Sequence, residues 1–441
     1  VYRAIDLTRY HNQAERLNPI KACGKVSQVV GLIIEGHGPG TTIGEICNIY
    51  PRGGGSSVTA EVVGFRDNRI LLMPLGEIRG VGPLDTIVTR GQRATLKVGD
   101  SFLGRVVDGF GNPIDDKGPV KTQRELSIYP EPINPLQRRR IKEPLDLGIR
   151  AINGLLTCGK GQRVGILAGS GVGKSVLLGM VARNTNADVN VIALIGERGR
   201  EVREFLEKDL GEEGLKRSVT VVATSDQPPL IRIRGALTAT TFAEYFRDQG
   251  KQVVLMMDSV TRFAIAQREV GLAIGEPPTT KGYTPSVFAT LPKLLERTGT
   301  HSEDGSITGL YTVLVEGDDF NEPIADAVRS ILDGHIVLSR ALAAKNHYPS
   351  IDVLNSISRV MIDIVSPEHR EYANRLRSTL AEYRKAEDLI NIGAYVKGSN
   401  QAIDYAIRMI DRINGYLRQD IHEKAELRES ISQLEKLFEE K

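Results

Sequence analysis

The sequence predicts an α/β protein in three parts: an N-terminal six-stranded type of β-barrel, a central α/β core and a C-terminal helical domain. Three observations carry that prediction. Between residues 24 and 90, short β-branched runs (KVSQVVGLIIEG, GEICNIY, SSVTAEVVGF, NRILLMPL) alternate with Gly- and Pro-containing turns. This is the spacing of a small closed barrel. From about 150 to 359, nearly continuous apolar runs (RVGILA, VNVIALIG, SVTVVATS, KQVVLMMD, YTVLVEG) alternate with helical stretches such as SVLLGMVARNT, ALTATTFAEYFRDQ and TPSVFATLPKLLERT. Runs of this kind suit strands buried on both faces of a mostly parallel sheet. Beyond 366 the chain turns helical, with amphipathic EYANRLRSTLAEYRKAEDLI and QAIDYAIRMIDRINGYLRQDI and a charged tail, ELRESISQLEKLFEEK. The expected boundaries are 1–23 for an N-terminal arm, 24–90 for the barrel, 91–365 for the core and 366–441 for the helical domain. Within the core, the Pro- and Gly-rich stretch 91–150 reads as a connecting layer.

A chain of 441 residues is long enough for two or three such domains. Its 57 basic and 55 acidic residues leave a net charge of +2, which argues against a protein built to coat nucleic acid. Cys23, Cys47 and Cys158 form no C-x-x-C pair. So few scattered cysteines read as reduced thiols in the cytosol. No apolar run reaches the ~18 residues of a membrane span. The opening VYRAIDLTRYHNQAERLN lacks a signal-peptide core, and its missing methionine suggests a trimmed N-terminus.

The chemistry begins at GILAGSGVGKSVLL, residues 165–178. A loop that binds a triphosphate must turn several backbone N–H groups toward one anion, and glycines permit the positive φ values this takes. Gly169, Gly171 and Gly173 supply the turn, with Ser170 and Val172 between them. The helix that follows adds its positive N-terminal end. Lys174 is placed to reach the β- and γ-phosphates and Ser175 to ligate Mg²⁺, with Val176 opening the helix. Ala168 stands where the first glycine usually does. The expected ligands are therefore ATP and Mg²⁺.

Two carboxylates are candidates to complete this site. A P-loop needs an acidic residue on a neighbouring strand to orient the metal's water shell. Asp258 ends the apolar run KQVVLMMD, and a carboxylate at the end of a buried strand is costly without a role. A helix N-cap is the alternative. Glu197 follows the strand VNVIALIG, at the strand end where open α/β sheets bind ligands. From the residues alone it is equally a general base or one more exposed glutamate in the charged run GERGREVREF.

The motifs GERGRE, DSVTR, IGEPPTTKGY, GSITGLYTVLVEGDD, ILDGHIVLSR and HYPSIDVLNSISRVM, in this order, resemble the catalytic subunits of the rotary ATP synthase superfamily. More closely, the chain is similar to the export ATPases of flagella and of type III secretion injectisomes, from about residue 24 to its end. The resemblance implies a RecA-like ATPase core. It gives Glu197 the general-base role and Arg198 the adjacent position that contacts phosphate. It makes Arg359, in SISRV, an arginine that reaches into the neighbouring subunit's site; on the residues alone it reads as a surface arginine. It makes Tyr348 the aromatic that stacks on adenine, where a tyrosine packed in a turn is the alternative. A second aromatic that closes the adenine pocket in the synthase has no counterpart in YLRQDIHEK, which offers Ile421; looser base specificity is expected.

The resemblance also implies a homohexamer and several partners. These are a negative regulator at the N-terminal arm, a coiled-coil central stalk protein, membrane proteins of an export gate, and export chaperones with their substrates. It places the protein in the cytoplasm, peripheral to the inner membrane. AGSGVGKS, VEGDDFNEPIAD and NIGAYVKGSN favour the flagellar over the injectisome branch. Two other functions compete. A subunit of a hetero-hexameric synthase fits less well, because one chain carries both the catalytic set and the arginine. A nucleic-acid motor is disfavoured because the barrel lacks aromatics interleaved with basic residues.

Overall fold

The computed structural model describes residues 22–439 apart from 132, 316, 318 and 321, and nothing of side chains 92 and 93. The arm at 1–20, with the Ile5, Leu7 and Leu17 expected to meet a partner helix, lies outside the described residues. The chain divides into two compact units, one of residues up to 94 with 272–276 and one of residues 95–271 and 277–441.

The first unit is a closed barrel of six antiparallel strands, β1 (Cys23–Val30), β2 (Ile33–His37), β3 (Glu45–Tyr50), β4 (Val58–Arg66), β5 (Arg69–Pro74) and β6 (Thr86–Arg93). They run in the order β1-β2-β5-β4-β3-β6. Alternation explains why these residues close a barrel: Cys47 and Ile49, Val58, Ala60 and Val62, and Ile70 and Leu72 point to one interior at period two. KVSQVVGLIIEG, read as one run, is a hairpin. Gly31, at φ 57°, makes the turn between β1 and β2.

The second unit is built on a nine-stranded sheet. Its main strands are β7 (Arg105–Val107), β8 (Arg163–Ala168), β9 (Val189–Ile195), β10 (Ser218–Ala223), β11 (Gln252–Asp258), β12 (Ser306–Leu314), β13 (Gly334–Leu338) and β14 (Ile357–Ser358). The order is β14-β13-β8-β12-β11-β9-β10-β7, with the short strand Gly299–Thr300 added to β12. All neighbours from β13 to β7 are parallel; β14 and Gly299–Thr300 pair antiparallel. Every residue of β9 and β10 is buried, as sheets covered on both faces require.

Three readings need correction. The stretch 91–150 is more than a connection. β7 forms an edge of the sheet, and Leu96, Val98, Phe102 and Ile128 are fully buried. Its Pro and Gly content masked these apolar positions because they are spaced singly among turns. The helix expected from Ala236 starts at Pro229. LIRIR alternates like a strand, yet Pro229 sits at the first helical position, where its missing N–H costs nothing. The strand expected from Tyr311 starts at Ser306, because the Thr and Gly of SITG are themselves buried.

Helices of the core include α1 (Arg150–Leu155), α2 (Lys174–Asn184), α3 (Gly199–Glu204), α4 (Pro229–Arg247) and α5 (Pro285–Leu295). The C-terminal part is helical, with α6 (Pro367–Asn391), α7 (Gln401–Leu417) and α8 (Leu427–Lys436). The charged tail is not simply solvated. Leu434 and Phe438 are buried in the same core as Leu155 and Tyr416, and the Tyr416 hydroxyl donates to the Ser430 carbonyl at 3.0 Å. Cys47 and Cys158 are buried, which pushes their thiols up to about 11 and about 12 and keeps them unreactive. Among the described residues, no helix is long and apolar enough to cross a membrane.

Candidate active site

The loop at 169–173 leaves the carboxyl end of β8 and runs directly into α2. Gly171 (φ 76°) and Gly173 (φ 88°) hold left-handed backbone, a conformation that favours glycine. Gly173 is the N-cap of α2, so the first turn, with Lys174, Ser175 and Val176, presents its unpaired N–H groups toward the loop. Ser170 and Gly171 are exposed, whereas Gly169 and Val172 are buried and Val176 packs against the core. Val172 thus anchors the loop from below while Ser170 and Gly171 stay open to a ligand.

A second segment steadies the loop from the side. The Ser350 hydroxyl donates to the Val172 carbonyl at 2.6 Å. Two residues earlier, the Tyr348 ring lies 3.6 Å from the position a Cβ on Gly173 would take. Tyr348 is 40% exposed, so one ring face remains available. The backbone N–H of Gln419 donates to the Tyr348 carbonyl at 3.0 Å, which ties this segment to the C-terminal helices. The Ile421 carbonyl accepts from Arg183, near the opposite end of α2 from the loop.

Lys174, Asp258 and Glu197 converge. The Lys174 ammonium lies 2.5 Å from an Asp258 oxygen and 3.5 Å from a Glu197 oxygen. The sequence placed Asp258 on a strand neighbouring the P-loop strand; instead β12 lies between β8 and β11. That intervening strand contributes Thr312, fully buried, whose hydroxyl donates to Asp258 at 2.7 Å. Glu197 sits just beyond β9, after Gly196 at φ 71°. The Glu197 carbonyl accepts from Ser225 N–H at 3.0 Å, which fixes its backbone beyond β10.

The charges in this cluster do not balance. Two carboxylates face one ammonium, and all three side chains are at most 13% exposed. Burial pushes the Glu197 carboxyl up to about 7, helped by the Asp258 charge and a hydrogen bond with Glu201 and opposed by Lys174. Burial disfavours the Lys174 ammonium, but the Asp258 and Glu197 carboxylates outweigh it and hold its pKa up. A carboxyl poised near 7 beside a phosphate loop can exchange a proton with water at working pH.

Two predicted residues stand apart from this cluster. Arg198 is 78% exposed and pairs loosely with Glu201 at 3.6 Å. Arg359 is exposed and follows β14, with its N–H donating to the Asp333 carbonyl at 3.0 Å. Asp333 precedes β13, so Arg359 lies at the amino end of the sheet. The phosphate loop lies at the carboxyl end, about 15 Å away along a strand of this length.

Sequence reasoning missed Thr312, Glu201, Ser350 and Arg262. Thr312 was findable as the one polar residue within the apolar run YTVLV. Arg262, in the helix Val260–Ile274, packs its stem where a Cβ on Gly196 would sit, a contact with no local sequence signal.

A phosphate loop at a switch between parallel strands, two buried carboxylates and a barrel define a nucleotide-binding protein of the ATP synthase class. Comparison agrees. The nucleotide-binding domain of the ATP synthase alpha/beta family matches residues 148–358 and the beta-barrel domain of that family residues 26–91. The T3SS EscN ATPase C-terminal domain matches residues 365–436. The flagellum-specific ATP synthase of Bacillus subtilis is 57% identical over 424 residues, covering 96% of this chain and 97% of the relative. The type 3 secretion system ATPase of Xanthomonas euvesicatoria is 52% identical over 396 residues, covering 90% and 89%. The assembled ATPase EscN of the enteropathogenic E. coli type III secretion system superposes with a TM-score of 0.89 at 47% identity, covering 94% of this chain and 99% of that one. EscN is also solved in complex with its central stalk EscO, with a TM-score of 0.86 at 46% identity over 94% of this chain and 99% of that one. The chain belongs to the family of flagellum-specific and type III secretion ATPases, and it is an ATPase of that family.

Proposed function

We propose that the protein hydrolyses ATP in a homohexameric ring that serves flagellar protein export, with each site at a boundary between two identical chains. The observation that carries the site assignment is the meeting of Glu197 and Asp258 on Lys174, with the Glu197 carboxyl raised to about 7. Lys174 and the loop N–H groups hold the β- and γ-phosphates; Lys174 leaves its carboxylates when the more highly charged triphosphate enters. Ser175 and Asp258 offer hard oxygen donors of the kind Mg²⁺ takes, Asp258 through water. When bound, Mg²⁺ would neutralise charge on the phosphates. Glu197 orients the attacking water and accepts its proton. Arg198, being exposed, is free to swing onto phosphate. Tyr348 stacks on the base, and Ile421 leaves that pocket partly open.

Arg359 acts in the neighbouring chain's site. Its exposure and its place at the far end of the sheet from its own loop support that reading. The wider assignments rest on the relatives. A central stalk partner is inferred from the EscN–EscO complex. An export gate, chaperones with their substrates, a regulator at the N-terminal arm and a position beneath the inner membrane are inferred from family membership. The flagellar branch is preferred because the flagellar relative from Bacillus subtilis reaches 57% identity and the secretion relative from Xanthomonas 52%.

Phosphate release and nucleotide titration test the site. Glu197→Gln should lower turnover by about 10²–10⁴-fold while nucleotide still binds. Lys174→Ala should lose hydrolysis and bind nucleotide weakly. If Glu197→Gln retains wild-type turnover, the general-base assignment is wrong.

A further inference from the structure

The segment that carries Arg359 is held by a buried side chain at the start of the phosphate-loop strand. Gln162 is fully buried and immediately precedes β8. Its amide nitrogen donates to the Ser358 hydroxyl at 3.1 Å and to the Asp333 carbonyl at 3.2 Å. Its amide oxygen accepts from Gly159 N–H at 2.8 Å. The Asp333 carbonyl also takes the Arg359 N–H at 3.0 Å. The Ser358 hydroxyl in turn donates to the Thr157 carbonyl at 2.9 Å. Asp333 in turn is gripped by the next residue of β8: its carboxylate accepts from the Arg163 backbone N–H at 3.0 Å and from the guanidinium at 3.1 and 3.2 Å. Where β14 meets β13, a Cβ on Gly334 would lie 2.4 Å from the Ile357 carbonyl, so the two strands close tightly just before Arg359.

We propose that Gln162 is a positioning residue for Arg359, aiming it at the neighbouring chain's nucleotide through Ser358 and Asp333. This rests on the reading of Arg359 as a residue that acts across the subunit boundary. A buried amide with its donors and acceptor engaged is costly to displace. Both of its donor bonds go to the groups that set the direction of the Arg359 backbone: the Ser358 hydroxyl and the Asp333 carbonyl that also takes the Arg359 N–H. An exposed arginine otherwise has broad rotamer freedom, so its stem is the part the fold can aim. A consequence follows for coupling within the ring. β8 carries the chain's own phosphate loop at its carboxyl end and this clamp at its amino end, so one strand joins the site a chain owns to the residue it lends.

The test uses mixed rings of the full-length chain. Gln162→Leu keeps the shape and removes the amide. In homomeric rings it should lower turnover by about a hundredfold, the scale of a 1 Å misplacement, with nucleotide affinity and ring size unchanged. Adding Arg359→Ala to it should cost much less than Arg359→Ala costs alone. Mixing Gln162→Leu chains with Lys174→Ala chains should restore activity, because the second chain has a dead site and a well-aimed arginine. A merely structural defect would damage the Gln162→Leu chain's own site and would not be rescued. Ser358→Ala, which leaves Gln162 in place, should show the same trans rescue with a smaller loss and covers the case in which Gln162→Leu fails to fold. Wild-type turnover in both variants, or losses that mixing does not restore, would overturn the proposal. If Arg359→Ala itself leaves ring turnover unchanged, the cross-boundary reading fails first; if only Arg359→Ala lowers it, the clamp alone is wrong.

Discussion

The two ends of the nine-stranded sheet bury charge in opposite ways. At the carboxyl end Lys174 faces both Asp258 and Glu197, and the excess negative charge helps burial raise the Glu197 carboxyl to about 7. At the amino end the charges match. Arg163 pairs with Asp333 and Glu296, and Arg138 with Glu296; Arg297 and Glu244 form a two-bond pair at 2.9 and 2.6 Å. A balanced network, here partly exposed at Glu296, is complete in itself, whereas an unbalanced buried one has a pKa out of place and favours another charge. The amino end therefore fixes geometry, and the carboxyl end concentrates unbalanced charge at the phosphate loop.

The largest expected effect would break this contrast if absent. Arg359→Ala should reduce turnover of assembled rings by about 10³–10⁵-fold and change little in nucleotide affinity, measured by steady-state phosphate release on rings isolated by size. A loss seen equally in isolated chains would place the arginine's action within one subunit.

Next in size is the amino-end pair. Arg297→Leu strands Glu244, whose side chain is 12% exposed, and should cost about 3 kcal/mol of stability with turnover per folded chain unchanged. Arg297→Leu with Glu244→Leu should recover most of that loss, because an apolar pair can replace a structural ion pair. Chemical denaturation checks both. Recovery of stability without activity is the corresponding expectation for an apolar pair in place of Lys174 and Asp258.

The smallest effect lies in pH. Glu197 must be ionised to accept a proton, so kcat/KM should climb about tenfold per unit below its pKa of about 7 and level off above it. Glu201→Gln removes a hydrogen bond that raises this pKa, so the inflection should move to lower pH. Stability runs the other way. A carboxyl raised on folding favours the native state when protonated, and that contribution is lost as pH rises from the ordinary glutamate value through about 7. An inflection that Glu201→Gln leaves in place would separate it from Glu197.

Much of this was legible in sequence wherever the physics is local. GSGVGKS dictates its own backbone, since Gly171 and Gly173 must adopt positive φ, and RVGILA reads as a buried strand at the limits observed. Short β-branched runs between Gly and Pro turns marked the barrel, and its period-two interior is what the structure adds. Where two patterns overlap, local reading fell short: the expected helix at ALTATTFAEYFRDQ left out PLIRIRG, whose residues alternate at period two yet open α4, and KVSQVVGLIIEG hid a hairpin. Arg262 was missed because its role exists only through helix packing; Thr312 stood out as a polar residue in an apolar run, but strand order alone gives it Asp258 as a partner.

The sequence by itself therefore determined the ligand class, the strand and helix types and the pool of chemical groups, because backbone geometry and burial are written residue by residue. Only the tertiary structure decided which groups meet. β12 lies between β8 and β11, and the loop, Asp258 and Glu197 all emerge at one end of a parallel sheet, so Lys174 meets two carboxylates distant in the chain. The antiparallel return of β14 turns Arg359 to the other end. No spacing in a linear sequence encodes either fact, because strand order is set by how helices cover the sheet rather than by the strands themselves.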